Sequence, residues 1–182
     1  MKQILRLVLT LFIICAVVAA ALAGVNSITK DKIASIAEEK NQAAMQEVLP
    51  DGKDLQAIAF TDKSGIVKEV YAPGGDASAR QFAVKVTPSG FGGEMVLMVG
   101  IEDGKVSGIS VVSHAETPSL GATAAAKNSK GTEFRQQFAG MSGELAVNKD
   151  GGQVDAITSA TITSRAVTSG VNAALACVQE LG

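Results

Sequence analysis

Tryptophan is absent from this 182-residue chain, tyrosine occurs once, as Tyr71, and histidine once, as His114. One imidazole cannot make a metal site unaided, and two cysteines, Cys15 and Cys177, fall short of a zinc or iron–sulfur ligand set. Cys15 lies in an apolar run and Cys177 on an expected helix, so no disulfide between them is expected. Charge is scarce as well: 19% of residues are charged and the net charge is −2, with no basic patch, so nucleic acid is not an expected partner. No strand–GxGxxG–helix unit is present to hold a dinucleotide, and the chain is not expected to oxidise NADH by itself. Internal repeats are missing, and the one biased stretch is an Ala/Lys/Ser patch at 122–130. Glycine, by contrast, is plentiful at 19 residues, which implies many turns and close backbone approaches. The length suits one ordinary domain with a proper core.

The longest apolar run stands at the N-terminus. MKQILRLVLTLFIICAVVAAALAGVNS carries its only charges at Lys2 and Arg6, and residues 7–25 carry none. Nineteen helical residues span roughly 28 Å, about the thickness of a bilayer's hydrocarbon core. Ala21-Leu22-Ala23 also has the small-x-small form of a signal-peptide cleavage site, but the run is longer than a usual signal core and favours a retained anchor. Either way the positive flank stays cytoplasmic and the remainder lies outside. The expected layout is a cytoplasmic segment 1–6, a membrane helix 7–25, a juxtamembrane or packing helix 26–50 and a domain over 51–182.

In 26–50, apolar residues at Ile33, Ile36, Ala37, Ala44, Met45 and Val48 mark a helix that either runs on from the anchor or packs across a sheet. LQAIAF (55–60), GIVKEVY (65–71), RQFAVKVTP (80–88), GEMVLMVGIE (93–102) and KVSGISVVSH (105–114) read as strands. Their close spacing favours an antiparallel sheet, with Glu102-Asp103-Gly104 as a hairpin turn. Met95 and Met98 read as core. A short helix is expected over 132–138, with Phe134 and Phe138 one turn apart, and short strands over 145–147 and 154–157. The fold class is therefore α+β.

The final element is a helix whose buried face carries Val167, Val171, Leu175 and Val178. Ser164 is the expected N-cap, which leaves Ile162 and Thr163 just outside. Free N–H groups and the positive end of the helix dipole then face the hydroxyl-rich segment from Thr158 to Ser164. That is the physics of an anion site, with phosphate its usual guest, although many helices start this way merely to be capped.

Three segments now become recognisable together. Asp155-Ala156-Ile157-Thr158-Ser159-Ala160-Thr161 resembles the flavinylation motif of the FMN-binding domain family. Gly90-Phe91-Gly92-Gly93 is similar to that family's Gly-aromatic-Gly-Gly turn, and His114-Ala115-Glu116-Thr117-Pro118-Ser119-Leu120-Gly121 to its His-x-Glu-Thr-Pro-Gly-Leu-Gly loop. Within the family the chain is most similar to the G subunits of Rnf-type ion-translocating ferredoxin:NAD oxidoreductase complexes. Ser159 and Ser119 depart from the pattern, each standing where the family has glycine. If either backbone needs positive φ, serine is strained there, though as the smallest polar replacement it is expected to be tolerated.

The resemblance implies an FMN joined through its phosphate to Thr161, attached by a separate Mg²⁺-dependent flavin transferase that uses FAD. Thr158, Ser159 and Thr163 would hydrogen-bond the phosphate, with Ala160 and Ile162 beside it, or else act as ordinary caps. Glu116 and Thr117 would reach the isoalloxazine or ribityl chain, Leu120 cover the ring and Gly121 admit it closely. Gly92 and Gly93 serve the turn or allow close approach, and Phe91 stacks or packs. His114 is expected to order the loop by a hydrogen bond, and Asp155 to fix its turn through backbone N–H groups. The implied role is an electron carrier in a bacterial or archaeal cell membrane, single-pass, with the domain extracytoplasmic. Its partners would be the other subunits of an ion-translocating complex moving Na⁺ or H⁺, and membrane lipid. A free-standing extracytoplasmic flavoprotein reductase or sensor, or an assembly module that has lost flavin, are the competing readings.

Overall fold

The structure, a computed structural model, describes residues 2–181. The outer ends of the expected segments 1–6 and 51–182 fall at Met1 and Gly182, outside the described residues. The chain divides into two units, residues 1–40 and 41–182.

Helix α1 (Lys2–Val48) is continuous, so the expected anchor and juxtamembrane helices are one element. Over the first unit it is long and apolar enough to cross a membrane, and its apolar side chains from Ile4 to Val25 stand exposed. The run's one hydroxyl, Thr10, donates to the Arg6 carbonyl at 2.8 Å, which satisfies it within the helix itself.

In the second unit, β1 (Leu55–Ile58), β2 (Val67–Pro73), β3 (Gln81–Val86), β4 (Val96–Glu102) and β5 (Lys105–Ser113) form an antiparallel sheet in sequence order. Both of its faces are covered. Val84, Leu97, Val99 and Ile101 pack with Val167, Val171 and Leu175 of the last helix, α3 (Thr161–Leu181), and with Phe134 and Phe138. The two phenylalanines meet edge to face at 5.6 Å. On the opposite face Ala83 and Met98 pack with Ala44, Met45, Val48 and Leu49 at the end of α1. Both methionines are buried, on opposite faces: Met95 belongs to the α3 side, Met98 to the α1 side. Interior strand β4 is consequently buried on alternate and intervening positions alike.

The end of α1 rests on paired glycines, Gly100 and Gly108. A Cβ on Gly100 would lie 2.6 Å from the Val48 carbonyl oxygen. Ser107 Oγ donates to that carbonyl at 2.7 Å, so the sheet caps the helix, and Ser110 Oγ donates to the Glu47 side chain, at Oε2, at 2.6 Å. The β4–β5 hairpin turns as expected at Asp103-Gly104, both with positive φ, the geometry whose twist matches the strands.

Two expectations are corrected. The short helix is α2 (Ser129–Gln136), three residues earlier than expected, because Asn128 Oδ1 accepts from Gly131 N–H and caps it. The segments 145–147 and 154–157 are not strands and share only a parallel bridge, Val147 to Val154. Side-chain amides replace the missing neighbour strand. Asn172 of α3 bonds both backbone groups of Leu145, at 2.9 and 2.8 Å, and Gln137 bonds both of Asp155, at 2.7 and 3.1 Å.

Candidate functional site

Helix α3 begins at Thr161, so Ser164 is not its cap. Ser164 is fully buried in the first turn, where its Oγ accepts from Ile157 N–H at 2.9 Å and donates to the Ala160 carbonyl at 3.0 Å. It ties down the turn that enters the helix, in which Ala160 N–H bonds the Ile157 carbonyl. Ala160 takes the capping place, its carbonyl accepting from Ser164 N–H, but it has no side-chain oxygen to offer. Among the described residues, nothing accepts from the N–H groups of Thr161, Ile162 or Thr163. A helix end of this kind, uncapped and half-open, favours an anion.

The hydroxyl cluster is sorted by its bonds. Thr163 is buried and donates to Glu116 Oε2 at 2.8 Å. Thr168 donates to the Ser164 carbonyl, and Ser164 is engaged as above. The hydroxyls of Thr158, Ser159 and Thr161 make no hydrogen bond among the described residues; the first two residues are exposed and Thr161 is half-buried at the first helical position. The cluster's one cation, Arg165, is turned away to Asp150, with Nε on Oδ2 at 2.7 Å. That pairing holds the Asp150 carboxyl below the usual carboxylate range.

The uncapped end opens on a cleft of about 360 Å³ lined by Phe91, Glu116, Thr117, Leu120, Gly121 and residues 159–163. Outside α1, the exposed large apolar side chains among the described residues are Phe91, Leu120 and Ile162, and all three line it. Phe91 therefore does not pack into the core; it stands 69% exposed over the cleft. A polar, anion-favouring end and an apolar rim suit a phosphate-bearing ligand with a flat ring.

The remaining expected residues lie elsewhere. Thr158 lines a neighbouring hollow of about 410 Å³, with Ser119, Lys130 and Phe134. Gly92 and Gly93 line neither space: Gly92 N–H donates to Glu116 Oε1 at 3.2 Å, and Gly93 turns the chain at φ 126°. His114 Nδ1 accepts from Glu116 N–H at 3.2 Å, a loop-ordering bond. Asp155 does not gather backbone N–H groups; its carboxylate accepts from the Asn148 side chain at 2.9 Å, and the following N–H groups of Ala156 and Ile157 are taken by Asn148 Oδ1 and Ser164 Oγ. Sequence reasoning missed the Glu116–Thr163 link, which joins residues 47 apart and leaves no local signal. Among the described residues no group of His, Cys, Asp and Glu could hold a metal ion.

Fold and cleft together define a protein with one helix long and apolar enough to cross a membrane, and a domain whose cleft suits a phosphate-bearing ligand. The FMN-binding domain model matches residues 90–176, and the RnfG N-terminal region model matches residues 1–48. The chain is 37% identical to the G subunit of the Na(+)-translocating ferredoxin:NAD(+) oxidoreductase complex of Acetobacterium woodii, covering 99% of this chain and 94% of that one. It is 32% identical to the G subunit of the ion-translocating oxidoreductase complex of Methanosarcina acetivorans, over 96% and 94% of the two chains, and 33% identical to that of Stutzerimonas stutzeri, over 92% and 77%. The chain belongs to the family of G subunits of ion-translocating oxidoreductase complexes, with an FMN-binding domain.

Proposed function

We propose that this chain is a covalent-FMN electron carrier within a membrane-bound ion-translocating oxidoreductase of the ferredoxin:NAD type, coupled to Na⁺ or H⁺ movement. The observation that carries the reading is Thr161: an unbonded hydroxyl at the first position of a helix whose opening N–H groups have no acceptor. Bound there, FMN supplies one- and two-electron transfer. The protein's part is to hold the phosphate at residues 159–163 and to present Phe91, Leu120 and Ile162 to the ring. Thr117 at the cleft wall adds a polar contact, while Thr158 lines the adjoining hollow.

Attachment requires a Thr161 Oγ–phosphorus bond to form as the pyrophosphate bond of FAD breaks; AMP leaves and the hydroxyl proton is lost to solvent. No base stands hydrogen-bonded to Thr161, in keeping with a separate transferase making the bond. Helix α1 anchors the chain once in the lipid, residues 1–6 inside and the domain outside, where the other subunits meet it.

Intact-mass measurement tests this directly. The full chain co-expressed with a flavin transferase is expected to gain about 438 Da, the mass of FMN less water. Thr161→Val is expected to abolish the gain, together with flavin fluorescence that survives denaturation. Wild-type protein of unmodified mass, or a labelled Thr161→Val, overturns the assignment.

A further inference from the structure

Glu116 is the one charged side chain that is buried among the described residues, 6% exposed, and no cation lies within ion-pair distance of it. Its oxygens are held instead by two donors from distant parts of the chain: Gly92 N–H on Oε1 at 3.2 Å and Thr163 Oγ on Oε2 at 2.8 Å. One carboxylate thus joins the 90–93 turn, the 114–121 loop and the first turn of α3. The space around it is kept by glycine. A Cβ on Gly90 would fall 2.0 Å from Oε1, and one on Gly121 would fall 2.1 Å from Oε2 and 2.5 Å from Thr163 Oγ1. Neither glycine has positive φ, so backbone conformation does not require them. Volume does.

We propose that Glu116 is a positioning residue that sets the cleft before any cofactor arrives, and that Gly90 and Gly121 are glycines in order to seat its carboxylate. Through Thr163 it fixes the turn on which Thr161 sits; this last step rests on the reading of Thr161 as the attachment residue. A buried carboxylate can stay in such a place only while its hydrogen bonds are kept, which makes the two donors and the cradle one unit.

A double-mutant cycle on the unflavinylated full chain in detergent reads the cradle. Beyond the carboxylate, the nearest atom to a Cβ on Gly90 is the flexible Met95 sulfur, at 3.0 Å. Gly90→Ala is therefore expected to lower the thermal midpoint by about 5 °C in the wild-type background and by less than about 1 °C in Glu116→Ala. Equal losses in both backgrounds overturn the cradle.

Flavin incorporation from FAD by the transferase, at a temperature where every variant is folded, reads the positioning. Glu116→Ala and Thr163→Val are each expected to slow labelling of Thr161 about tenfold or more. Glu116→Gln is expected to restore it, since its amide oxygen can accept from Gly92 and its amide nitrogen can donate to Thr163. Labelling of Glu116→Ala at the wild-type rate overturns the positioning role. Should the wild-type chain take up no flavin, the attachment reading falls, and additive losses in the cycle would still overturn the cradle.

Discussion

Ser119 and Ser159 both have φ 62°, in the left-handed region that penalises a Cβ, and both stand where the family motifs have glycine. Each borders the site, Ser159 on the cleft and Ser119 on the adjoining hollow. The strain is therefore real at both positions, and the surrounding bonds impose it: the Ile157–Ala160 turn at one, the Thr117–Leu120 turn at the other. Ser119→Gly and Ser159→Gly are each expected to stabilise the unflavinylated chain by about 0.5–1 kcal/mol, the relief of the left-handed Cβ less the greater entropy of unfolded glycine. A higher urea midpoint with unchanged slope would register it. Cys177 is a different residue-scale case. Burial, aided by Asp62 and Glu180, pushes its thiol up, and the side chain packs in the core on the α3 side.

At the scale of elements, α1 and α3 meet the sheet in contrasting ways. α3 buries an apolar stripe that was legible from its spacing, whereas α1 ends on a glycine floor that no periodicity reveals. Gly100→Ala is expected to cost about 1–3 kcal/mol, since the Cβ meets backbone oxygen and cannot be relieved by a rotamer change. Urea unfolding of the variant against wild type measures it, and a loss within error would remove the close approach from the account. The strands were readable because alternation and turn residues agreed; Glu102-Asp103-Gly104 is the clearest instance. The segments around Val147 and Val154 carry the same local pattern, yet Asn172 of α3 and Gln137 at the end of α2 satisfy backbone groups of these segments from elsewhere in the chain. Local propensity cannot report a partner that arrives from elsewhere in the chain.

For the molecule as a whole, surface ion pairs such as Lys63–Glu180 contribute little. Two carboxylates are tied more closely into the domain. Burial works against ionisation at Asp62 and Glu69, but hydrogen bonds prevail and hold both below the usual range: the Ser64 hydroxyl and the Ser64 and Val67 N–H groups at Asp62, the Tyr71 hydroxyl and Lys85 at Glu69. Each is thus a weaker base folded than unfolded. Their contribution is complete above the unfolded value, near pH 4, and is lost as pH falls toward the depressed folded values. Stability is expected to decline on acidification from about pH 5 to pH 3 and to be insensitive to these groups above it. Urea midpoints across that range check the sign, and Asp62→Asn should flatten part of the decline.

What the sequence determined by itself is what short range can encode: the apolar anchor, the strands and hairpin, the α3 stripe, and the motif residues that point to Thr161. Tertiary structure alone decided which hydroxyls are engaged. Thr163 and Ser164 are consumed by Glu116, Ile157 and Ala160, while Thr161 keeps its hydroxyl free at a helix end without a cap. The reason is physical. A hydroxyl's chemistry depends on what it bonds, and here the deciding partner of Thr163 lies 47 residues away, in a loop seated between glycines.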